Sequence, residues 1–211
     1  MSLDTIFDAV LNGDAKATEI EVKTALETNI SAADILQEAC IPAMSEVGSL
    51  FETGEKFVPE MLISARAMQT AVNILKPFLA QADIKVLGTV VLGTVAGDLH
   101  DIGKNLVSMM LEGAGFEIID LGTDVSAQQF VDAVRDNKPD LLAMSALLTT
   151  TMAAISPTIK ALQEAGLRDQ VKIIIGGAPI TQDFSDVVGA DGFALDAGSA
   201  SRVAKALLVV A

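Results

Sequence analysis

Two patterns of hydrophobic and polar positions divide this chain. Through residues 1–82, apolar side chains recur every three to four residues, which places them on one face of a helix. One such stripe runs from Ile35 to Leu50 and another from Met61 to Leu75. We predict four helices here, with Ser31 capping the third and Pro77 ending or kinking the last. The short connections between them favour an antiparallel four-helix bundle.

Beyond residue 82 the apolar positions form short runs instead of stripes. Five runs, "IKVLGTVVLGTV", "FEIIDLG", "DLLAMSAL", "VKIIIGG" and "GFALD", are mostly separated by helical stretches such as 126–137 and 152–165. Strands that are apolar throughout and alternate with helices are typical of a parallel sheet covered on both faces. We therefore predict an α/β doubly wound, flavodoxin- or Rossmann-like domain over residues 83–211. It contains a five-stranded parallel sheet and follows the bundle at a junction near Gln81–Lys85.

The charge balance and the single cysteine narrow the range of partners and compartments. The chain has 28 Asp and Glu against 14 Lys and Arg, a net charge of −14. Nucleic acids and anionic membranes are bound mainly through Lys and Arg, so neither is an expected partner. Cys40 alone cannot build a disulfide framework, and neither a basic leader nor a long uncharged apolar segment is visible. We expect a cytoplasmic protein.

The only histidine, His100, lies in a loop between Gly97 and Gly103 that follows the first predicted strand. Ligands of doubly wound domains bind beyond the carboxyl ends of the strands, which is where this loop falls. A neutral imidazole is a good ligand for a transition metal, and Asp98 could orient it from two residues away. One imidazole cannot hold a zinc ion by itself, whereas a tetrapyrrole-like macrocycle supplies most of the ligands of its own metal. The alternative is a loop histidine between two helix-capping aspartates, Asp98 and Asp101.

The spacing of three short motifs resembles that of the cobalamin-binding corrinoid proteins. Asp98, His100 and Gly103 form Asp-x-His-x-x-Gly; 41 residues separate Gly103 from Ser145, which forms Ser-x-Leu with Leu147, and 28 residues separate Leu147 from the pair Gly176 and Gly177. The stretch "VGSLFETGEKFVPEMLISARAM" is similar to the helical cap of methionine synthase and of methyl-transfer corrinoid proteins. The resemblance covers essentially the whole chain.

This resemblance implies a role for each matching residue. His100 would replace the cofactor's own benzimidazole as the lower cobalt ligand, the base-off, His-on state. Asp98 would hydrogen-bond His100, and Thr151 would complete a relay in which the family's methionine synthases use serine. Phe51 and Val58 match positions where the cap covers the upper face of the cobalt. The other positions that match cofactor-binding residues, mostly along a slot for the displaced nucleotide tail, are Asp101, Gly103, Ser145, Leu147, Thr149, Gly176, Gly177 and Ala197.

The function implied is that of a methyl carrier on cobalamin, alternating between methylcobalamin and cob(I)alamin. A substrate-side methyltransferase would load it, an acceptor-side methyltransferase using tetrahydrofolate or a thiol would unload it, and a reductive activase would maintain it. The chain would be a subunit without catalysis of its own. Among methoxylated aromatics, methylamines, betaines and methanol, the favoured donor is a phenyl methyl ether in an O-demethylase system. The alternatives are a cobalamin-binding mutase subunit, a cobalamin sensor and a metal-free flavodoxin-like or receiver module.

Overall fold

The computed structural model describes residues 3–81 and 86–209. The chain divides into two compact units, one up to Val86 and one from Leu87 onward, with Gly113–Gly115 grouped with the first. The predicted boundary between residues 82 and 83, and most of the predicted junction, lie outside the described residues. No helix within the described residues is long and apolar enough to cross a membrane.

The first unit is helical, as predicted. Its helices are α1 (Leu3–Leu11), α2 (Ala15–Glu27), α3 (Ala32–Asp34), a π-helical stretch (Ile35–Cys40), α4 (Ile41–Glu52) and α5 (Val58–Gln81). The Ser31 hydroxyl oxygen accepts the backbone N–H of Asp34 at 3.1 Å, which confirms the predicted N-cap. From there α3, the π-helical stretch and α4 follow one another without a gap, and they supply the predicted stripe with fully buried side chains at Ile35, Ala39, Ala43 and Val47.

The buried face of α5 differs from the predicted stripe. Met61, Met68 and Leu75 are buried as expected, but Ala65 and Val72 are only half-buried. Ser64, Ala67 and Ala71 complete the buried face instead. A polar residue is tolerated there because the Ser64 hydroxyl donates to the Leu11 carbonyl at 2.9 Å, so its burial leaves no unpaired group.

Pro77 does not end α5, which continues to Gln81. A proline inside a helix removes one backbone donor and crowds the carbonyl four residues earlier. So close to the carboxyl end, where few further turns depend on it, this loss does not terminate the helix.

The second unit alternates strands and helices. Its strands are β1 (Thr89–Thr94), β2 (Glu117–Asp120), β3 (Leu141–Ser145), β4 (Lys172–Gly176) and β5 (Gly192–Ala194). Its helices are α6 (Ile102–Gly113), α7 (Ala127–Asn137), α8 (Ile155–Glu164), α9 (Gln182–Val188) and α10 (Ala197–Val209). The five strands form one parallel sheet in the order β2-β1-β3-β4-β5. The predicted doubly wound α/β fold is therefore confirmed.

The strand register aligns the carboxyl edge of the sheet. Thr94 pairs with Ser145, Ser145 with Gly176, and Gly176 with Ala194, so four strand ends form one row. β1 and β3 are buried along nearly their whole length, which anchors this row in the core. The segments that follow these four residues leave the sheet at one edge, and that edge carries the site described next.

Candidate functional site

The loop that carries His100 leaves the end of β1 and turns into α6. The Thr94 hydroxyl, at the end of β1, donates to the His100 carbonyl at 2.9 Å, and the Asp98 N–H donates to the Val95 carbonyl at 3.1 Å, so the loop is bonded back to the strand end and to the residue after it. Gly97 sits at φ +80°, a conformation that glycine adopts at little cost. The turn places Asp98 inward and His100 outward, with side chains 0% and 54% exposed.

Asp98 is held by four hydrogen-bond donors, two on each carboxylate oxygen. Its Oδ2 accepts the Thr151 hydroxyl at 2.6 Å and the Leu147 N–H at 2.7 Å. Its Oδ1 accepts the backbone N–H of His100 at 3.1 Å and lies 2.8 Å from His100 Nδ1. The structure thus brings together the three residues of the predicted relay, Asp98, His100 and Thr151.

These bonds fix the proton on the imidazole. Burial by itself would raise the pKa of Asp98, but the hydrogen bonds from Thr151, the Leu147 N–H and His100 outweigh it and hold the pKa well below its ordinary value. An ionised carboxylate only accepts hydrogen bonds, so His100 Nδ1 carries the proton. With its proton on Nδ1, an imidazole keeps the lone pair of Nε2, the nitrogen not bonded to Asp98, for a metal.

The lowered pKa of Asp98 predicts an acid-dependent stability in the protein without cofactor. In the unfolded chain the pKa of an Asp carboxyl is about 3.9. Since the folded pKa is lower, the stabilisation is complete above about pH 4 and is lost as the pH falls through the folded value. We expect Asp98→Asn to lower the free energy of unfolding at pH 7 by about 2 kcal/mol, because the amide nitrogen must face the N–H of either Leu147 or His100.

Denaturation followed by circular dichroism between pH 7 and pH 3 checks this prediction. The gap between wild type and Asp98→Asn should narrow as the pH falls below about 4. Asp169→Asn, which neutralises an exposed carboxylate of the same unit, is the matched control and should leave the unfolding curve near that of wild type. A gap that is constant over the whole pH range would contradict the proposed ionisation.

Exposed apolar side chains lie on the segments next to His100 and after β3; Leu147 is among the predicted site residues, whereas Leu99, Ile102 and Leu148 are not. Leu99 is 74% and Ile102 76% exposed, on either side of His100, and Leu147 and Leu148 are also exposed on the loop after β3. The sequence feature that could have identified Leu99 and Ile102 is a leucine and an isoleucine in a short segment of glycines and aspartates. Their exposure leaves apolar surface at this edge of the sheet, on which a flat hydrophobic ligand could rest.

The remaining predicted cofactor residues of the second unit lie along the same edge of the sheet. Ser145 ends β3, Thr149 is exposed in the following turn, and Ala197 begins α10, where it is buried. Asp101 directly precedes α6, and its carboxylate accepts from the Asn105 side chain at 3.3 Å. At Gly103 an added Cβ would meet open space. Phe51 and Val58 are half-buried in the helical unit, at the end of α4 and the start of α5.

Gly176 and Gly177 have a structural reason that does not depend on a ligand. A Cβ on Gly176 would lie 2.8 Å from the Ala194 carbonyl oxygen. Gly177 has φ +126°, and its Cβ would lie 1.9 Å from the Ala146 carbonyl oxygen. The backbones that follow β3 and β4 approach each other too closely for any side chain at Gly177. Contact of this glycine pair with a nucleotide tail stays a prediction.

Known proteins resemble this chain over both units. The profile of a B12 binding domain matches residues 88–208, and a second B12 binding domain profile matches residues 2–76. Trimethylamine corrinoid protein 1 of Methanosarcina acetivorans is 40% identical over 204 residues, which cover 96% of this chain and 94% of that protein. The chain belongs to the cobalamin-binding corrinoid protein family. Dimethylamine corrinoid protein 2 of the same organism is also 40% identical, over 208 residues that cover 98% of this corrinoid protein and 96% of that one.

A solved structure gives the same assignment. The methanol:cobalamin methyltransferase complex MtaBC of Methanosarcina barkeri matches with a TM-score of 0.87 and 31% identity, over 99% of this chain and 80% of that chain. The geometry around His100 fits a corrinoid. The imidazole is half exposed, a buried carboxylate binds one of its nitrogens, and exposed apolar side chains lie on the neighbouring segments. That donor set suits a metal that brings its remaining ligands in a macrocycle.

Proposed function

We propose that this corrinoid protein carries a methyl group on cobalamin bound at the carboxyl edge of its sheet, with His100 as the axial ligand. The observation that carries the proposal is the pairing of His100 Nδ1 with buried Asp98 at 2.8 Å on a side chain that is 54% exposed, which leaves Nε2 as the nitrogen not bonded to Asp98. When bound, the cobalt of the cofactor supplies a metal that accepts a methyl group and releases it again.

Three groups of the chain serve this chemistry. Asp98 holds a proton at His100 Nδ1, and its negative charge makes Nε2 a better electron donor. Thr151 donates to the other oxygen of Asp98, which keeps the carboxylate oriented without taking the imidazole proton. The exposed side chains of Leu99 and Ile102 would exclude water beside the imidazole once a ligand covers them.

We propose the base-off, His-on state for the bound cofactor. With His100 as the ligand, the cofactor's own benzimidazole would be displaced, and its tail would need a path along the row of strand ends at Ser145 and Gly176. Ser145, Leu147, Thr149 and Ala197 are the proposed contacts of that tail. Phe51 and Val58 are proposed to cover the upper face of the cofactor between transfers.

Named relatives support a methylated amine as the donor. Those 40% identical to this chain are named for trimethylamine and dimethylamine, whereas the solved methyltransferase complex is named for methanol. We therefore propose methylated amines as the donor class, in place of the phenyl methyl ether expected from the sequence. A substrate-side methyltransferase loads the carrier, a tetrahydrofolate- or thiol-dependent methyltransferase unloads it, and a reductive activase restores the cofactor.

Methyl transfer to the reconstituted protein tests this proposal. The full chain is loaded with cobalamin under anaerobic reduction and incubated with a methyltransferase for each donor: trimethylamine, dimethylamine, methanol or a methoxylated benzoate. We expect the absorbance of the reduced cofactor to disappear fastest with an amine, with loss of one methyl from that amine. The protein without cobalamin is the control and should demethylate no donor.

Two outcomes would contradict different parts of the proposal. Transfer from the methoxylated benzoate alone would overturn the amine donor and leave the carrier function standing. Failure of the full chain to retain cobalamin through gel filtration would overturn the carrier function itself.

A further inference from the structure

Asp124 has a backbone conformation that calls for an explanation. It follows β2 in the loop toward α7 and has φ +55°, in the left-handed region that glycine adopts freely and other residues rarely adopt. Asp and Asn tolerate this region better than other side chains do, because they hydrogen-bond locally. Strain of this kind persists only where the surrounding contacts hold it, and it is enriched at functional sites.

The contacts of Asp124 all lead to the His100 loop. Its Oδ1 accepts the Gly97 N–H at 2.7 Å, and its own N–H donates to the Asp98 carbonyl at 2.9 Å. These two bonds run in opposite directions and clamp two consecutive residues of the loop. Glycine would relieve the backbone strain at this position, but it would lose the carboxylate that holds Gly97. The side chain is therefore what the position requires.

A second attachment joins the same segment to the other end of the loop. Lys104, in the first turn of α6, has a side chain only 2% exposed, and its Nζ lies 2.5 Å from Asp120 Oδ2 and 2.8 Å from the Asn105 side-chain oxygen. Between the two attachments, the Gly122 carbonyl accepts the N–H of Thr94 at 2.9 Å. Residues Asp120–Asp124 are thus bonded to the loop before His100, to the strand that leads into it and to the helix that follows it.

We propose that Asp120–Asp124, which we call the β2 brace, positions His100 for the cobalt, with Asp124 as the main positioning residue. The brace does not touch the imidazole. It fixes the backbone of Gly97 and Asp98, and Asp98 in turn orients the ring. The inference rests on the proposed function, because it takes His100 Nε2 to be the axial ligand.

A single histidine makes the test specific. Protein grown with 15N-labelled histidine carries the label at His100 alone. When the chain is loaded with cob(II)alamin, an axial 15N changes the nitrogen splitting in the electron paramagnetic resonance spectrum from a triplet to a doublet. The ratio of doublet to unsplit or triplet signal measures how much cobalt has His100 bound.

Three substitutions of Asp124 separate the hydrogen bond from the strain. Asp124→Asn keeps an acceptor oxygen and the tolerance for positive φ, so its ratio should stay within about twofold of wild type. Asp124→Gly relieves the strain but loses the acceptor oxygen. Asp124→Ala loses both the acceptor oxygen and the tolerance for positive φ. We expect each of these two to lower the ratio about tenfold, the size of effect that orienting partners of metal ligands have. Lys104→Met should also lower the ratio of doublet to other signal.

Lys138→Ala is the matched control. Lys138 also has positive φ, +47°, in the same unit, but it ends α7 and belongs to neither the brace nor the loop. It should lose stability like Asp124→Ala while it keeps the wild-type ratio. A wild-type ratio in Asp124→Gly would overturn the brace and leave the axial ligand intact. A wild-type spectrum without the 15N doublet would overturn the axial ligand, and the brace with it.

The protein without cofactor gives a second readout. Long-range 15N–1H spectra of the labelled imidazole report which ring nitrogen carries the proton. Wild type and Asp124→Asn should show the proton on Nδ1, and Asp124→Gly should show a mixture of both tautomers, because Asp98 is no longer held in place. An unmixed Nδ1 proton in Asp124→Gly would also overturn the brace.

Discussion

Replacing His100 with alanine is expected to remove the protein nitrogen from the bound cobalt and to weaken cobalamin retention by more than about tenfold, the range already reached by partners one contact further from a metal. The fold should survive the change. The imidazole is half exposed, and Asp98 keeps three of its four donors. These are the Thr151 hydroxyl, the Leu147 N–H and the backbone N–H at position 100, which alanine retains. The loss is therefore one of ligation and not of folding.

The measurement combines the labelled-histidine spectrum with the cobalt-to-protein ratio after gel filtration. Wild type should give the 15N doublet and retain cobalamin, and His100→Ala should show neither. Added 15N-imidazole should restore a doublet to His100→Ala, whereas the cofactor's own unlabelled benzimidazole would give a triplet. If wild type and His100→Ala gave the same spectrum, with no 15N doublet in either, His100 would not be the ligand.

Gly177→Ala is expected to leave no stably folded α/β domain. The added Cβ would lie 1.9 Å from the Ala146 carbonyl oxygen, which is backbone and cannot rotate away. The positive φ adds strain, and two bonds depend on this turn: the Ala146 N–H to the Gly176 carbonyl and the Ile180 N–H to the Gly177 carbonyl. Together these effects should lower the free energy of unfolding by at least about 4 kcal/mol, a large part of the total stability of a domain.

Gly189→Ala is the matched control for this prediction. Gly189 also has a positive φ, +77°, at the end of α9, but an added Cβ there would meet nothing within 4 Å. Gly189→Ala should lower the free energy of unfolding only by the about 1–2 kcal/mol that a residue with a side chain loses in the left-handed conformation. Soluble yield and thermal unfolding by circular dichroism measure both variants. If Gly177→Ala unfolds at the temperature of Gly189→Ala, the close backbone approach does not exist in solution.

Local pattern was sufficient for most of the fold. Apolar runs gave the five strands, and helical spacing gave the buried stripe of Ile35, Ala39, Ala43 and Val47. The same reasoning placed the buried face of α5 partly wrong, because Ser64 is buried through a bond to Leu11, 53 residues away. It also allowed Pro77 to end a helix that continues, since the cost of proline depends on how much helix follows it.

The candidate site, like the fold, was predicted from the sequence only in part. The position of His100 after an apolar strand and the intervals to Ser145 and Gly176 are visible in the sequence, and they carry the resemblance to corrinoid proteins. Asp124 is not visible, because its role depends on a positive φ and on a contact to Gly97, 27 residues earlier. The exposure of Leu99 and Ile102 was equally hidden, since apolar side chains are more often buried than exposed.

By itself, the sequence determined which segments are strands and helices, that the strands are parallel, and that the one imidazole lies at the carboxyl edge of the sheet. Periodicity reports the burial of each position, and that is a local property. Only the tertiary structure decided that Thr151 reaches Asp98 across 53 residues, that Asp124 clamps the loop, and that Gly177 has no room for a side chain. These contacts follow from the strand order β2-β1-β3-β4-β5, which brings together segments distant in the chain.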